Sequence, residues 1–463
     1  MLGVAGCAAG PQYEKPAIDM PVAWKPEESW SESHPRDGDI KGQWWEIFDD
    51  PKLNALEQQL LIQNLSLRAA EAHLMQARAQ VTIATSSLFP SLKLGAGASR
   101  LKSSANRPLA NYSTPNVSTV QNDFNLNFNV QYEADVFGRV HDVLQGVQAS
   151  AEQAKADFEN MRLLMTAELA TDYLTIRELD AEISVVDQGI ELQKHALKFV
   201  VSRHDSGAAS GLDVARQQTQ LEENLAQQEL LRKQRHEFEH ALATLMGIPA
   251  PRFTLELSHH LPLIPVIPVG VPSNVLERRP DIASAERAVA VANAQVGIAK
   301  TAFFPTILLS PTVGWDSNRL AALFDAPSVL WSLGTSVTQT IFDWGKNQAN
   351  VDSARLGYEA TVATYKQTVL IAMQEVENGI TGLSTLARAH HDTEAAIKSA
   401  QHLLNLVNAR YEGGIATDLE RITAQQELLS NQRQAVQLYG QQTVMSVYLV
   451  KALGGGWQTQ ANK

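Results

Sequence analysis

The sequence predicts a mixed α + β membrane protein. Four β-strands per chain enter a barrel shared between copies, long helices continue it as a tube, and the unit is built twice. Three observations carry this prediction. From Phe124 to Val136, Phe124, Leu126, Phe128, Val130, Tyr132, Ala134 and Val136 alternate with Asn125, Asn127, Asn129, Gln131, Glu133 and Asp135, the period of a strand with one apolar face. After Gly138 the period becomes helical, through Leu144, Val147, Ala151, Ala154, Phe158, Met161 and Met165 to Ile183, Val186 and Ile190, a three-four spacing. No proline interrupts it before Pro249, and the first stop is Asp205-Ser206-Gly207. Such a helix holds about 65 residues and spans about 100 Å, more than the diameter of an ordinary domain. The third observation is an internal match between the two halves.

Along the chain, residues 1–6 read as the remnant of a lipoprotein signal peptide. Val4-Ala5-Gly6-Cys7 places small apolar residues before the single cysteine, and cleavage there leaves a lipidated N-terminus at Cys7. Six residues are too few for a complete signal peptide, so the true start is expected further upstream. Residues 7–50 carry Pro11, Pro16, Pro21, Trp24, Pro26, Trp30, Trp44 and Trp45 and read as an anchor followed by an extended strap. Residues 51–88 form a helix through Leu53, Leu56, Leu60 and Leu67, stopped by Phe89-Pro90. Residues 89–137 form a hairpin: Leu92, Leu94, Ala96 and Ala98 alternate, and residues 101–122 have loop composition. A long helix and helical hairpin fill 138–248, and the proline-punctuated linker 249–272 contains a short candidate strand at Phe253–Leu257.

The chain then starts again. At an offset of about 215 residues Ala79-Gln80-Val81 falls on Ala294-Gln295-Val296 and Phe89-Pro90 on Phe304-Pro305. Beyond the hairpin the offset is about 207, placing Phe137-Gly138-Arg139 on Trp344-Gly345-Lys346, Gly207 on Gly414 and Leu212 on Leu419. The second unit comprises a helix at 273–303, a hairpin at 304–343, a long helix with its helical hairpin at 344–453, and a tail at 454–463. Four strands cannot close a barrel, and open edges in a membrane leave backbone groups unpaired at a cost of several kcal/mol each. The chain must therefore share a barrel with copies of itself, with an even strand count of at least eight.

Composition narrows the function. The chain is 44% hydrophobic with a mean hydropathy of −0.17, and no run approaches 18 apolar residues, which excludes a transmembrane helix but not a β-barrel. A net charge of −12 argues against a general nucleic-acid binder and fits a lumen or surface that prefers cations. One cysteine excludes an intrachain disulfide and a multi-thiolate metal site.

With these elements in place, the chain resembles an outer-membrane factor, the TolC-like channel of tripartite efflux systems, and within that family its lipoprotein branch. The residues that carry the resemblance are Cys7 with Gly10-Pro11, Asp135-Val136-Phe137-Gly138-Arg139, Arg279-Pro280-Asp281-Ile282 before Ala285-Glu286-Arg287, Phe303-Phe304-Pro305 and Leu453-Gly454-Gly455-Gly456-Trp457. It implies a homotrimer with a twelve-stranded barrel in the outer membrane, a helical tunnel across the periplasm and a belt formed by residues 8–50, 249–272 and the C-terminus. It also implies a covalent lipid on Cys7, a periplasmic adaptor and a proton-driven inner-membrane pump, with no enzymatic activity and no cofactor.

By the same resemblance, the turns at Gly207, Ala208, Ser210 and Leu212 and at Gly414, Ile415 and Thr417 meet the hairpin tips of the adaptor. A constriction follows the second turn. Leu419 takes the family's leucine position, and Thr423 stands where an aspartate is usual, with Asp418 and Glu420 the nearest acids. A threonine ring does not concentrate negative charge, so the gate is expected to be steric and apolar. The aromatic residues Phe89, Phe303, Phe304, Trp315, Trp331 and Trp344 flank the strands as a membrane-interface girdle would.

His236-Glu237-Phe238-Glu239-His240 matches the helical zinc motif H-E-x-x-H, but it sits in mid-rod without a third ligand nearby in sequence, and a glutamate-rich helix produces the pattern by chance. His259-His260 and His390-His391 read as solvated pairs. Three competing functions follow: a type I protein-secretion duct, a metal-cation exporter, for which the eight methionines show no cluster, and a periplasmic coiled-coil structural protein, which gives no reason for duplicated strands.

Overall fold

The computed structural model describes residues 10–18, 43–106, 118–258, 261–267 and 278–455. The first repeat supplies α1 (Pro51–Gln63), α2 (Leu65–Ser86), β1 (Ser91–Ser103), β2 (Thr119–Ala134), α3 (Arg139–Asp205) and α4 (Gly211–Leu245). The second supplies α5 (Pro280–Thr301), β3 (Thr306–Leu309), β4 (Thr312–Ser317), β5 (Val329–Ser332), β6 (Thr335–Thr338), α6 (Lys346–Glu412) and α7 (Asp418–Ala452). The duplication survives in the lengths: α2 and α5 have 22 residues each, α3 and α6 have 67, and α4 and α7 have 35. The residues group into two compact units, one of Met1–Pro16, Leu74–Ala154 and Ala285–Tyr365, the other of Ala17–His73, Lys155–Ser284 and Lys366–Lys463.

The first unit holds the sheet. β1 pairs antiparallel with β2 from Ser91↔Gln131 to Ser103↔Thr119, and β2 pairs on its other side with β3 and β4. β3 pairs with β6 and β4 with β5. The second hairpin, expected as two strands, is thus divided into four segments, yet its register never slips. Pro311, which has no N–H to give, interrupts the ladder between β3 and β4, but its carbonyl still accepts from Val130 N at 3.0 Å. Ser310 N likewise donates to Gly334 O at 2.8 Å between β5 and β6. Among the described residues four physical strands result, in the order β1, β2, β3 with β4, β5 with β6, and both outer edges are unpaired.

The pairings bring one apolar face together. Leu92, Leu94, Ala96 and Ala98 oppose Val130, Phe128, Leu126 and Phe124; Leu126 and Phe128 oppose Trp315 and Val313; Val313 opposes Trp331. The other face carries Asn125 beside Gly97 and Asn127 beside Gly95 and Gly314. Leu92, Leu94, Val313, Trp331, Leu333 and Val337 are exposed in the chain, as residues that face hydrocarbon must be.

The hairpin also reaches further than its apolar alternation. β1 continues to Ser103 and β2 begins at Thr119, inside the stretch whose composition reads as loop, because a backbone ladder needs no apolar side chains once it leaves the hydrocarbon. At the other end β2 stops at Ala134 rather than Val136. The Asp135 carboxylate instead accepts from Val140 N at 3.0 Å and His141 N at 2.8 Å, starting α3.

A segment without regular structure, Gly10–Pro16, lies in this unit along α5: Asn293 Nδ2 donates to Pro11 O at 2.9 Å, and Lys15 Nζ meets the Glu286 carboxylate at 2.7 Å. Gly10 is pressed against Gly297 and Asp142, where a Cβ would collide with the Asp142 carboxylate. The chain therefore reaches the strand ends three residues after Cys7, which itself lies outside the described residues, as do Trp24, Trp30 and His259-His260.

The second unit is helical. Leu179, Ile183, Val186 and Ile190 of α3 pack with Leu231 of α4, and Ala400, Leu404 and Val407 of α6 with Ala424 and Leu428 of α7. The four-three-four spacing is that of a coiled-coil seam. The helix expected over 51–88 is two helices, broken at Asn64. Its Oδ1 accepts from Leu67 N at 2.9 Å, capping α2, while its Nδ2 donates to Leu245 O at 2.7 Å, so a side chain that rivals the backbone for hydrogen bonds ends one helix and begins the next.

Two further expectations are corrected here. Phe253–Leu257 is not a strand: its backbone groups bond charged side chains, Leu255 N to Glu239 at 2.5 Å, and Leu255 O and Glu256 O to Arg235 and Arg177 at 2.7 and 2.9 Å. The strap is not extended throughout either. Trp44–Phe48 is a 3-10 turn with Trp44, Trp45 and Phe48 buried, and Trp44 Nε1 donates to Thr166 Oγ1 at 3.1 Å. Arg279 of the Arg-Pro-Asp-Ile motif, also in this unit, donates to Ala452 O at 3.0 Å, closing the end of α7, and pairs with Glu375 and Asp281.

Candidate functional site

The long helices of the second unit end in two turns built alike. Gly207 has φ +75° and Gly414 φ +73°, the left-handed conformation that only glycine adopts without strain. In each the chain reverses by the same pair of bonds: Gly207 N to His204 O and Ala208 N to Arg203 O at 2.9 and 2.7 Å, Gly414 N to Tyr411 O and Ile415 N to Arg410 O at 3.0 and 2.8 Å. Nothing lies within 4 Å of a Cβ built on either glycine. Conformation alone therefore demands glycine there.

The next helix starts differently in the two turns. Ser210 and Asp213 form a reciprocal capping box at α4, and the Ser210 hydroxyl holds the Asp213 carboxyl below its usual range. Thr417 caps α7 through Glu420 N. Leu212, Ile415 and Leu419 are 58%, 73% and 47% exposed, so the turns present apolar side chains on a rigid backbone.

Between the turns runs a polar cluster that sequence reasoning missed. Arg203 Nη1 donates to the Tyr411 hydroxyl at 2.9 Å and Arg203 Nη2 to Ala208 O at 3.3 Å. The Tyr411 ring is approached by two guanidinium groups, Arg203 at 5.4 Å and Arg421 at 4.6 Å from its centroid, a double cation–π contact. Arg421 in turn donates to Asp418 Oδ1 at 2.7 Å, and Gln217 Nε2 to Asp418 Oδ2 at 3.3 Å. The first turn and the second are thereby joined through Tyr411 and Asp418. No short motif announces this, because the partners come from four helices.

The four gate candidates separate. Asp418 is 8% exposed, its carboxylate committed to Arg421 and Gln217. Leu419, Glu420 and Thr423 are exposed, and the Thr423 hydroxyl donates back to Leu419 O at 2.8 Å. Of these four, the apolar side chain free to project is Leu419.

A family profile described as outer membrane efflux protein matches residues 56–248 and 271–455. The chain belongs to that family. It is 32% identical over 418 residues to the pyoverdine export outer membrane protein OpmQ of Pseudomonas aeruginosa, covering 90% of this chain and 88% of that protein. It is 31% identical over 464 residues to OprJ of the same species, covering 98% and 94%. The solved outer-membrane channel OprN superposes with a TM-score of 0.90 at 29% identity over 98% of this chain and 100% of that one. The protein is an outer-membrane efflux channel of the TolC-like fold, reaching into the periplasm, and a transport duct rather than an enzyme.

In the H-E-x-x-H stretch His236, Glu237 and His240 are exposed, and only Phe238 and Glu239 turn inward. His236 and His240 stack with centroids 6.5 Å apart, and Glu237 pairs with Lys233 at 2.8 Å on the surface. Glu239 is committed to a buried cluster: Arg235 Nε donates to Asp180 at 2.6 Å and Arg235 Nη1 to Glu239 at 3.3 Å, Arg177 meets Asp180 at 2.9 Å, and Ser258 N donates to Asp180 at 3.2 Å. Among the described residues no group of three or more His, Cys, Asp or Glu is placed to hold a metal ion. Of the girdle candidates, Phe89, Phe303, Phe304 and Trp344 gather where strands meet helices, with Phe137 stacked on Phe304 at 5.0 Å, whereas Trp315 and Trp331 lie within the apolar face.

Proposed function

We propose that the chain works as a homotrimeric exit duct of a tripartite efflux assembly, anchored by a lipid on Cys7, receiving small molecules from an adaptor and a proton-driven inner-membrane pump. The unpaired edges of the four-strand sheet carry this reading. Each lies in a strand whose apolar face is exposed, and a membrane tolerates neither edge open. Three copies give a twelve-stranded barrel, with Asn125, Asn127 and Asn129 turned to the water inside. The lipid on Cys7 is supported by the course of Gly10–Pro16 along α5, which brings the chain to the strand ends within about 10 Å of extended chain from the cysteine.

The turns at Gly207–Leu212 and Gly414–Thr417 suit docking to an adaptor, since their backbones are fixed by paired hydrogen bonds and their tips expose Leu212 and Ile415. A ring of Leu419 closes the duct sterically, and the Arg203–Tyr411–Arg421–Asp418 cluster holds that ring in place. Native mass and planar-bilayer conductance of detergent-purified protein test the reading. A conducting trimer carrying lipid mass that Cys7→Ser removes supports it; a non-conducting monomer refutes it.

A further inference from the structure

The apolar face of the sheet ends in charge on one side only. Along β1 the residues of that face are Leu92, Leu94, Ala96, Ala98, Arg100 and Lys102, opposite Val130, Phe128, Leu126, Phe124, Asn122 and Val120 of β2. On β4 the face runs through Val313, Trp315 and Ser317, the last opposite Phe124, and Arg319 follows two residues beyond the end of the strand. The loop bearing Arg319 folds back on this face, because Phe324 packs edge-on against Trp315 at 5.6 Å. Acidic residues of the sheet, Asp123, Glu133 and Asp316, all have the opposite parity. The strand residues of the lipid side thus carry two cations, Arg100 and Lys102, and no acid; the loop after β4 adds Arg319 and one acid, Asp325.

Their height fits a membrane boundary. Leu92 and Lys102 are ten residue steps apart, about 33 Å along a strand and about 25 Å along the normal at a tilt of about 40°. That is the height of the apolar band of an outer-membrane barrel. The opposite end joins helices that reach into the periplasm, so the cations stand at the outer leaflet. Arg100, Lys102 and Arg319 are exposed, and among the described residues none has an ion-pair partner. Leu320 and Phe324, 65% and 68% exposed beside Arg319, offer apolar contact at the same level.

We infer that Arg100, Lys102 and Arg319 form a basic rim that holds the phosphate groups of an anionic lipid of the outer leaflet. Long cationic side chains at the edge of the hydrocarbon extend toward anionic headgroups, and each contributes about five-fold in affinity, the equivalent of about 1 kcal/mol. The opposite face, with Lys93 beside Asn129, takes no part.

The test is lipid binding to the detergent-purified full chain by native mass spectrometry, titrated with a bis-phosphorylated lipid A, its dephosphorylated form and inorganic phosphate alone. The wild type is expected to hold the phosphorylated lipid at least ten-fold more tightly than the dephosphorylated one. R100Q/K102Q/R319Q is expected to lose about a hundred-fold, and K93Q to bind as the wild type does. Equal binding of the two lipids by the wild type overturns the inference whatever the variants do. So does a K93Q loss matching that of the triple variant, or inorganic phosphate binding as tightly as the lipid.

Discussion

Tyr411→Phe isolates one bond at the periplasmic end. The substitution removes the hydroxyl that accepts from Arg203 Nη1 at 2.9 Å but keeps the ring between Arg203 and Arg421. A hydrogen bond to a charged group contributes about 1.5–3 kcal/mol when buried; with Arg203 half-exposed, about 1 kcal/mol is a fair figure. If opening separates the two turns, each chain loses that much closed-state stability, and a trimer loses about 3 kcal/mol, a shift of about a hundred-fold in the open-to-closed ratio. Single-channel recording in planar bilayers reads the open probability directly. Native mass provides the control, because a lost phenol hydroxyl at the tip leaves the barrel and the proposed trimer intact. An intact Tyr411→Phe trimer whose open probability equals that of the wild type refutes the reasoning, and the Arg203–Tyr411 bond then has no part in closure.

Leu419→Ala removes most of the apolar side chain that stands 47% exposed at the start of α7, and is expected to raise closed-state conductance; unchanged conductance rules out the Leu419 ring. Asp180→Asn strikes the buried cluster, where one carboxylate serves Arg177, Arg235 and Ser258 N; leaving two buried guanidiniums under-compensated costs about 3–5 kcal/mol. Thermal unfolding should show the loss, and limited proteolysis should cut within 249–258 sooner than in the wild type. Burial, with Glu182 nearby, raises the Glu178 carboxyl to about 7. The folded state therefore holds that proton in a window, from about 4.5 to about 7, in which the unfolded state has released it, and wild-type stability falls as pH rises through it. Glu178→Gln abolishes the penalty, so the variant should melt higher than the wild type at pH 8, by on the order of 2 kcal/mol, and equally at pH 4; a gain independent of pH contradicts this.

The large features of the fold were legible because each rests on a period. Alternation over Phe124–Ala134 requires a strand with one apolar face, and the three-four pattern after Gly138 requires a long helix; both are local geometry. The repeat offsets were equally plain, since α3 and α6 kept their 67 residues. Gly207 and Gly414 were readable as turns because left-handed backbone restricts the residue type.

Features that depend on which helices become neighbours were not readable. Nothing in its spacing shows that Asn64 breaks a helix, because the break relies on Leu245 O, 181 residues away. Phe253–Leu257 reads as a strand until Arg177, Arg235 and Glu239 claim its backbone. Asp418 looked like a gate acid, and packing turned it to Arg421 and Gln217. A duplicated strand-and-rod architecture with too few strands to close alone is already present in the residue pattern, because periodicity is written along the chain. The Arg203–Tyr411–Arg421–Asp418 cluster and the one-sided charge of the lipid face emerge with the folded chain, because both are set by register and helix contact between residues far apart in sequence.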